Sequence, residues 1–183
     1  MLPWLEKHLL KQIKSGNEPS FAKAYDLYAD KIYKFVFSKI NSSDIAEEIV
    51  QDAFTRFWQF ARKDDSDIYN IKSLLYKIAR NLIIDYYRAK RPDEIPIDEP
   101  EFQAELSVTP DNDKSLDLEF DLKQIESSLT QLPSVYQDVI IMKFVNDLSH
   151  REIAGILDKT ESHIRVLIHR ALQALREKLK SNK

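Results

Sequence analysis

The chain has no cysteine and, among its 183 residues, only two glycines, Gly16 and Gly155. The first absence excludes disulfides, thiolate nucleophiles and cysteine-ligated zinc. The second is a compositional outlier, since average usage near ~7% would give roughly a dozen. No apolar run approaches the ~20 residues of a membrane span. The opening residues, from Met1 to His8, are broken by charge and carry no signal-peptide core. No sustained alternation of period two occurs, whereas apolar residues recur at helical spacing. These absences lead to the expectation of an all-α, cytoplasmic protein without membrane insertion.

The net charge is only −3, but it is unevenly spread. Residues 1–92 hold 16 Lys/Arg against 12 Asp/Glu, a balance of +4. Residues 93–121 hold one against 11, or −10, and residues 122–183 hold 10 against seven, or +3. The acidic stretch also carries Pro96, Pro100 and Pro110 and begins just after Pro92. Prolines and like charges oppose a packed helix. The expected organisation is therefore two small helical domains, 1–92 and 122–183, joined by an acidic flexible linker, 93–121.

Within 1–92, Leu5, Leu9, Leu10 and Ile13 mark a short helix that ends near Gly16-Asn17. Phe21, Tyr25, Tyr28, Ile32, Phe35 and Val36 mark a second. Asp44 is placed to cap a third, with Glu47 in the capping-box position. Ile49, Val50, Ala53, Phe54, Phe57 and Trp58 form its apolar side. Its other side is acidic and polar, with Asp44, Glu47, Glu48, Gln51 and Asp52. Capping and a favourable charge at a helix N-terminus account for Asp44 and Glu47, but less well for Gln51 and Asp52.

The fourth helix is the most informative. Ile71, Leu74, Leu75, Ile78, Leu82 and Tyr86 recur at the spacing of a buried stripe. Lys77, Arg80, Asn81, Arg88 and Arg91 fall on another face, near aromatic residues. Cations hold phosphates, and amides and rings grip unstacked bases.

The C-terminal segment reads as a helix-turn-helix. A helix begins at Leu132-Pro133 and runs through Val135, Val139, Ile140 and Phe144. Ser149 and Glu152 form a capping box for a short helix. Asp158-Lys159 is the turn, and Thr160 caps the next helix. That helix buries Ile164, Leu167, Ile168, Ala171, Leu172, Leu175 and Leu179. Glu161, Ser162, His163, Arg165, Val166, His169 and Arg170 remain outward near its start. In this motif the start of the second helix enters the major groove. Arg165 suits guanine or phosphate, and Val166 suits a thymine methyl. A helical hairpin that binds protein, or nothing, has the same spacing.

Four stretches carry a family resemblance: Asp44–Trp58, Leu75–Asp85, Leu132-Pro133 with Leu148–Ala154, and His169–Leu172. They resemble the bacterial RNA polymerase sigma factors of the extracytoplasmic-function (ECF) group, in family order and with an acidic linker between the halves. The resemblance implies that Asp44, Glu48, Gln51 and Asp52 meet core RNA polymerase. It implies that the 71–91 helix reads the minus-ten promoter element. Tyr69, Asn70 and Asn81 would then serve a flipped base, and Lys77, Arg80, Arg88, Lys90 and Arg91 the backbone. Thr160, Glu161, Ser162, His163, Arg165, Val166, His169 and Arg170 would meet the minus-thirty-five element. Relatives are commonly held by an anti-sigma protein, which becomes an expected partner beside polymerase and promoter DNA.

The sequence departs from the family at three places. Leu74 stands where Trp is usual, Asp158 where Gly is usual, and Val166 and Leu167 where small and basic residues are usual.

A helix-turn-helix regulator acting without stable polymerase association is the alternative reading. It explains 122–183 but not the first domain. Four scattered histidines and no Glu-x-x-His pattern leave no catalytic or metal-binding constellation, so neither enzymatic activity nor a cofactor is expected.

Overall fold

The structure, a computed structural model, describes residues 3–63, 68, 70–90 and 122–181. The expected linker 93–121 and the residues Tyr69 and Arg91 lie outside the described residues. Among the described residues every regular element is helical, in line with the all-α expectation. The chain divides into two compact units.

The first unit holds α1 (Pro3–Lys14), α2 (Glu18–Ile40), α3 (Ser43–Ala61) and α4 (Ile71–Lys90). Helices α2, α3 and α4 pack pairwise, and α1 lies against α2 and α3. Ile13, Ile32, Phe35, Phe57, Ile71, Leu75 and Tyr76 have essentially no exposed surface. The rings of Phe35 and Tyr76 meet edge-on, with centroids 5.2 Å apart. This apolar burial drives the packing of the bundle.

Local chemistry sets the helix ends. Gly16 has φ 82°, its N–H donates to Ile13 at 2.9 Å, and that of Asn17 donates to Gln12 at 3.0 Å. This is the glycine-terminated Schellman pattern, which satisfies the last carbonyls of α1. Asn17 then caps α2, its Oδ1 accepting from the Ser20 N–H at 2.9 Å. Asn41, left-handed at φ 52°, ends α2.

The start of α3 corrects one expectation. The helix begins at Ser43, with Ser42 at the N-cap and no side-chain capping bond. Asp44 therefore sits inside the first turn and cannot cap, and Glu47 is out of the capping-box register. The cause is the short α2–α3 link, in which left-handed Asn41 and extended Ser42 complete the reversal. Asp44 instead interacts favourably with the positive end of the helix.

Helix α4 has two caps. The Asn70 Oδ1 accepts from the Ser73 N–H at 2.6 Å. The Glu6 carboxylate of α1 accepts from the N–H groups of Ile71 at 3.0 Å and Lys72 at 3.4 Å. Glu6→Ala is expected to lower stability in urea unfolding of the full chain by ~1–2 kcal/mol, because it orphans these donors.

The second unit holds α5 (Leu122–Thr130), α6 (Ser134–Ile140), the π-helical segment Ile141–Val145, α8 (Glu161–Ser181) and most of α7 (His150–Leu157). Helix α8 packs against α5 and α6. The expected helix through Phe144 is present, but its form changes along its length. After Ile140 the helix widens, and the Asn146 N–H donates to the Ile141 carbonyl at 3.0 Å. Ile140, Ile141 and Met142, three successive residues, are all buried, whereas Phe144 and Val145 are 51% and 64% exposed. Three adjacent apolar side chains exceed one narrow stripe of a regular α-helix, and the wider turn accommodates them.

Candidate nucleic-acid and polymerase surfaces

The buried positions of α4 are Ile71, Ser73, Leu75, Tyr76, Ala79, Leu82 and Ile83. Leu74, Ile78 and Tyr86, expected in the stripe, are only half-buried. Packing against both α2 and α3 widens the covered arc toward Tyr76 and Ile83. Tyr86 keeps partial exposure, its ring flanked by Tyr87 at 5.4 Å and the Lys90 ammonium at 4.6 Å.

The opposite side of α4 carries the candidate nucleic-acid face. Lys77, Asn81 and Arg88 are separated by four and seven residues, so they share one line along the helix. Asn81 and Arg88 are exposed, and Lys77 is half-buried beside them. Half-exposed Leu74 and Ile84 fall in the same sector. Arg80 is half-buried on its flank. Lys90 projects toward the Tyr86 side, away from the Asn81 line. Tyr87, which the sequence argument did not single out, donates its hydroxyl to the Lys39 carbonyl at 2.6 Å and ties the end of α4 to α2. Asn70 has its amide oxygen committed to the helix cap. Its amide N–H groups are not used by that bond.

The polar side of α3 brings Asp44, Glu48, Gln51 and Asp52 onto one face, as helical spacing requires. The first three are exposed and Asp52 is half-buried. Asp52 pairs with Arg56 one turn on, at 3.0 Å. Its charge is therefore partly neutralised within the helix.

In the second unit the capping box is present. The Ser149 Oγ accepts from the Glu152 N–H at 3.3 Å, and the Glu152 carboxylate accepts from the Ser149 N–H at 2.8 Å. Asp158 ends α7 in the left-handed conformation at φ 53° and ψ 43°. This is a position suited to glycine that Asp tolerates. The Thr160 Oγ1 accepts from the His163 N–H at 3.2 Å and so caps α8. Glu161, Ser162, Arg165 and His169 are exposed, while His163, Val166 and Arg170 are half-buried at the edges of the helix. Ser162, Arg165, Val166 and His169 define the outward sector, opposite buried Ile164, Leu167, Ile168 and Ala171. Leu172, expected in the stripe, is half-buried.

Among the described residues no group of histidine and acidic side chains forms a metal site. Among them also, no helix is long and apolar enough to cross a membrane.

Comparison with known proteins places these surfaces in context. Residues 24–92 match the Sigma-70 region 2 family, and residues 122–175 match Sigma-70, region 4. Both units are thus of the kind found in sigma-70-type transcription initiation factors. The chain belongs to the ECF RNA polymerase sigma factors. It is 34% identical over 185 residues to the ECF RNA polymerase sigma factor SigW of Bacillus subtilis, covering 95% of this chain and 96% of that one. SigM of the same organism is 24% identical over 153 residues, covering 83% and 90%. The solved structure of CnrH in complex with the cytosolic domain of CnrY has the same fold, with a TM-score of 0.72 at 20% identity, covering 98% of this chain and 99% of that one. The sigma factor RpoE in complex with the anti-sigma factor NepR from Bartonella quintana has a TM-score of 0.62 at 25% identity, covering 89% and 98%.

The chain directs RNA polymerase to specific promoters to initiate transcription, and it is not itself an enzyme. A regulator acting apart from polymerase leaves the region 2 match unexplained.

Proposed function

We propose that the recognition work divides among three surfaces. The α3 face of Asp44, Glu48, Gln51 and Asp52 docks on core polymerase. The α4 line of Lys77, Asn81 and Arg88 captures the melted minus-ten strand, with Arg80 and Arg91 adding backbone contacts and Tyr69 and Asn70 beside the flipped base; Lys90, expected from the sequence to join them, is turned toward Tyr86 and stands off that line. The start of α8 reads the minus-thirty-five duplex, with Arg165, Val166 and His169 toward the bases. Ser162 shares their outward sector, and Thr160, Glu161, His163 and Arg170 lie at its margin. In this reading residues 1–92 form the first domain, 93–121 an acidic connection and 122–183 the second domain. The protein works in the cytoplasm, where polymerase and promoters are, and an anti-sigma protein restrains it by covering the same surfaces. Support for that last partner comes from RpoE, a structural relative solved with the anti-sigma factor NepR.

The observation that carries the minus-ten assignment is the shared line of Lys77, Asn81 and Arg88 on the side of α4 opposite its buried positions. An amide offers donor and acceptor together and so discriminates base edges. A guanidinium facing a phosphate carries no sequence information. Asn81→Ala is expected to change preference at one promoter position by ~1–3 kcal/mol. Arg88→Ala is expected to weaken all promoters about equally and to lower the salt slope. Transcription from a promoter library by the reconstituted holoenzyme distinguishes the two. A uniform loss for Asn81→Ala would reduce that residue to a structural role.

A further inference from the structure

Glu47 is exposed on α3 and is not among the residues assigned to the polymerase face. It stands beyond the first turn, where the helix dipole no longer favours an acid. Its hydrogen bonding leads across the α2–α3 corner. The Ser43 Oγ donates to the Glu47 Oε1 at 3.4 Å, and the Tyr33 hydroxyl of α2 lies 3.3 Å from that same Ser43 Oγ. Ser43 has one hydroxyl proton, already directed at Glu47, so Tyr33 is the donor in the second bond. The Tyr33 ring stacks on that of Phe37, with centroids 5.7 Å apart and planes 17° from parallel. Phe37 is 39% exposed. A carboxylate and an aromatic pair are thereby tied together at the surface.

Other rings of the first unit carry a cation of their own chain. Arg62 lies 5.3 Å from the Trp58 centroid, Lys63 6.0 Å from that of Phe60, and Lys90 4.6 Å from that of Tyr86. Among the described residues no cation lies over Tyr33 or Phe37. Lys34, the cation next to them in sequence, is drawn to Asp30 at 2.8 Å. Residues 40–55 contain four acids and no Lys, Arg or His. The corner thus presents a ring face and a carboxylate without the cation that both attract.

An arginine suits both features. Its flat guanidinium stacks on an aromatic face, and its forked donors match a carboxylate. A lysine ammonium is a hydrated point charge without the flat stack. The arginine belongs to a partner with a cationic surface, since the same end of α3 also exposes Asp44 and Glu48. Nucleic acid is disfavoured there, because its phosphates repel these acids. Core polymerase is the protein partner through which this chain acts. We propose that the α2–α3 corner is a subsite for an arginine of core polymerase, its guanidinium stacked on the Tyr33–Phe37 pair and bonded to Glu47. This rests on the assignment of the acidic α3 face to polymerase and extends that face onto α2.

The test titrates labelled full chain with core polymerase. Glu47→Gln is expected to weaken binding about tenfold. Phe37→Leu, which keeps apolar bulk but removes the ring face, is expected to weaken it about fivefold. Phe37→Tyr retains the face and is expected to bind as the native chain does. The double variant Glu47→Gln with Phe37→Leu is expected to lose less than the product of the two effects, because both side chains hold one guanidinium. Urea unfolding checks each fold, and Glu47→Gln, at an exposed site, carries the test if Phe37→Leu unfolds. Full core affinity in a folded Glu47→Gln or Phe37→Leu variant would overturn the proposal. Losses that simply multiply in the double variant would overturn the shared arginine. Intact core affinity with weakened promoter binding would overturn it in favour of a nucleic-acid contact. Glu48→Lys is run alongside: if it too leaves core affinity unchanged, the α3 assignment fails and takes this inference with it. If only the corner variants are silent, the corner alone is excluded.

Discussion

Phe35→Ala is expected to destabilise the first unit by ~3–5 kcal/mol, the usual cost of emptying a buried aromatic site. Phe35 is fully buried and lies edge-on to Tyr76 of α4 at 5.2 Å. Such a ring pair adds ~0.5–1.5 kcal/mol beyond burial alone. Total domain stability is ordinarily ~5–15 kcal/mol, so the loss takes a large share of it. Because α2 packs against both α3 and α4, the proposed polymerase face and the proposed minus-ten face should fail together. The molecule provides its own probe, since its two tryptophans, Trp4 and Trp58, both belong to the first unit. In urea, tryptophan fluorescence should shift to a lower midpoint, while the part of the circular-dichroism transition owed to α5–α8 stays in place. Phe35→Leu, which keeps most of the volume, should cost less than ~1.5 kcal/mol. A shift below ~1 kcal/mol for Phe35→Ala would contradict the central place given to this ring.

What was legible in the sequence follows from the range of the interaction concerned. Short-range signals held: Gly16 closed α1, Ser149 and Glu152 formed their reciprocal cap, and Thr160 capped α8. The two helical units and the helical spacing of their cores were also readable, because amphipathic periodicity records burial directly. The start of α3 was not, since Asp44 has the composition of a cap but the left-handed Asn41 and extended Ser42 set the helix start two residues earlier. The stripe of α4 was placed too far toward Leu74 and Ile78. Periodicity gives the centre of a face, but the second packing partner sets its width, and that brings in Tyr76, Ala79 and Ile83. The π-helical turn was hidden because Ile140, Ile141 and Met142 read equally as one apolar run. Glu6 was the least legible residue of all. Its partners are Ile71 and Lys72, and nothing near position 6 announces a bond to a helix so far along the chain.

The second large effect is expected at α3. Glu48→Lys should weaken binding to core polymerase by ~2–5 kcal/mol, or roughly 30- to 5,000-fold, if the exposed acidic face meets a basic surface there. Most of that cost comes from leaving a partner cation desolvated and opposed by like charge. Asp52→Lys should have a smaller direct effect, because Asp52 already shares its charge with Arg56 at 3.0 Å. Asp44 lies in the first turn of the helix, where an acid also stabilises it by ~0.3–1 kcal/mol, whereas Glu48 stands beyond that turn. That intramolecular benefit is the competing explanation for the acidic face, and the two make opposite forecasts. A dipole role, read at Asp44→Lys, predicts a small fall in urea stability and unchanged polymerase affinity. A docking role predicts unchanged circular dichroism and a loss of affinity that diminishes as salt rises, since screening weakens the native contact as well as the introduced repulsion. Fluorescence titration of labelled chain with core polymerase at two salt concentrations, with matched unfolding curves, decides between them. Full affinity in Glu48→Lys at both salt concentrations would remove α3 from the polymerase interface.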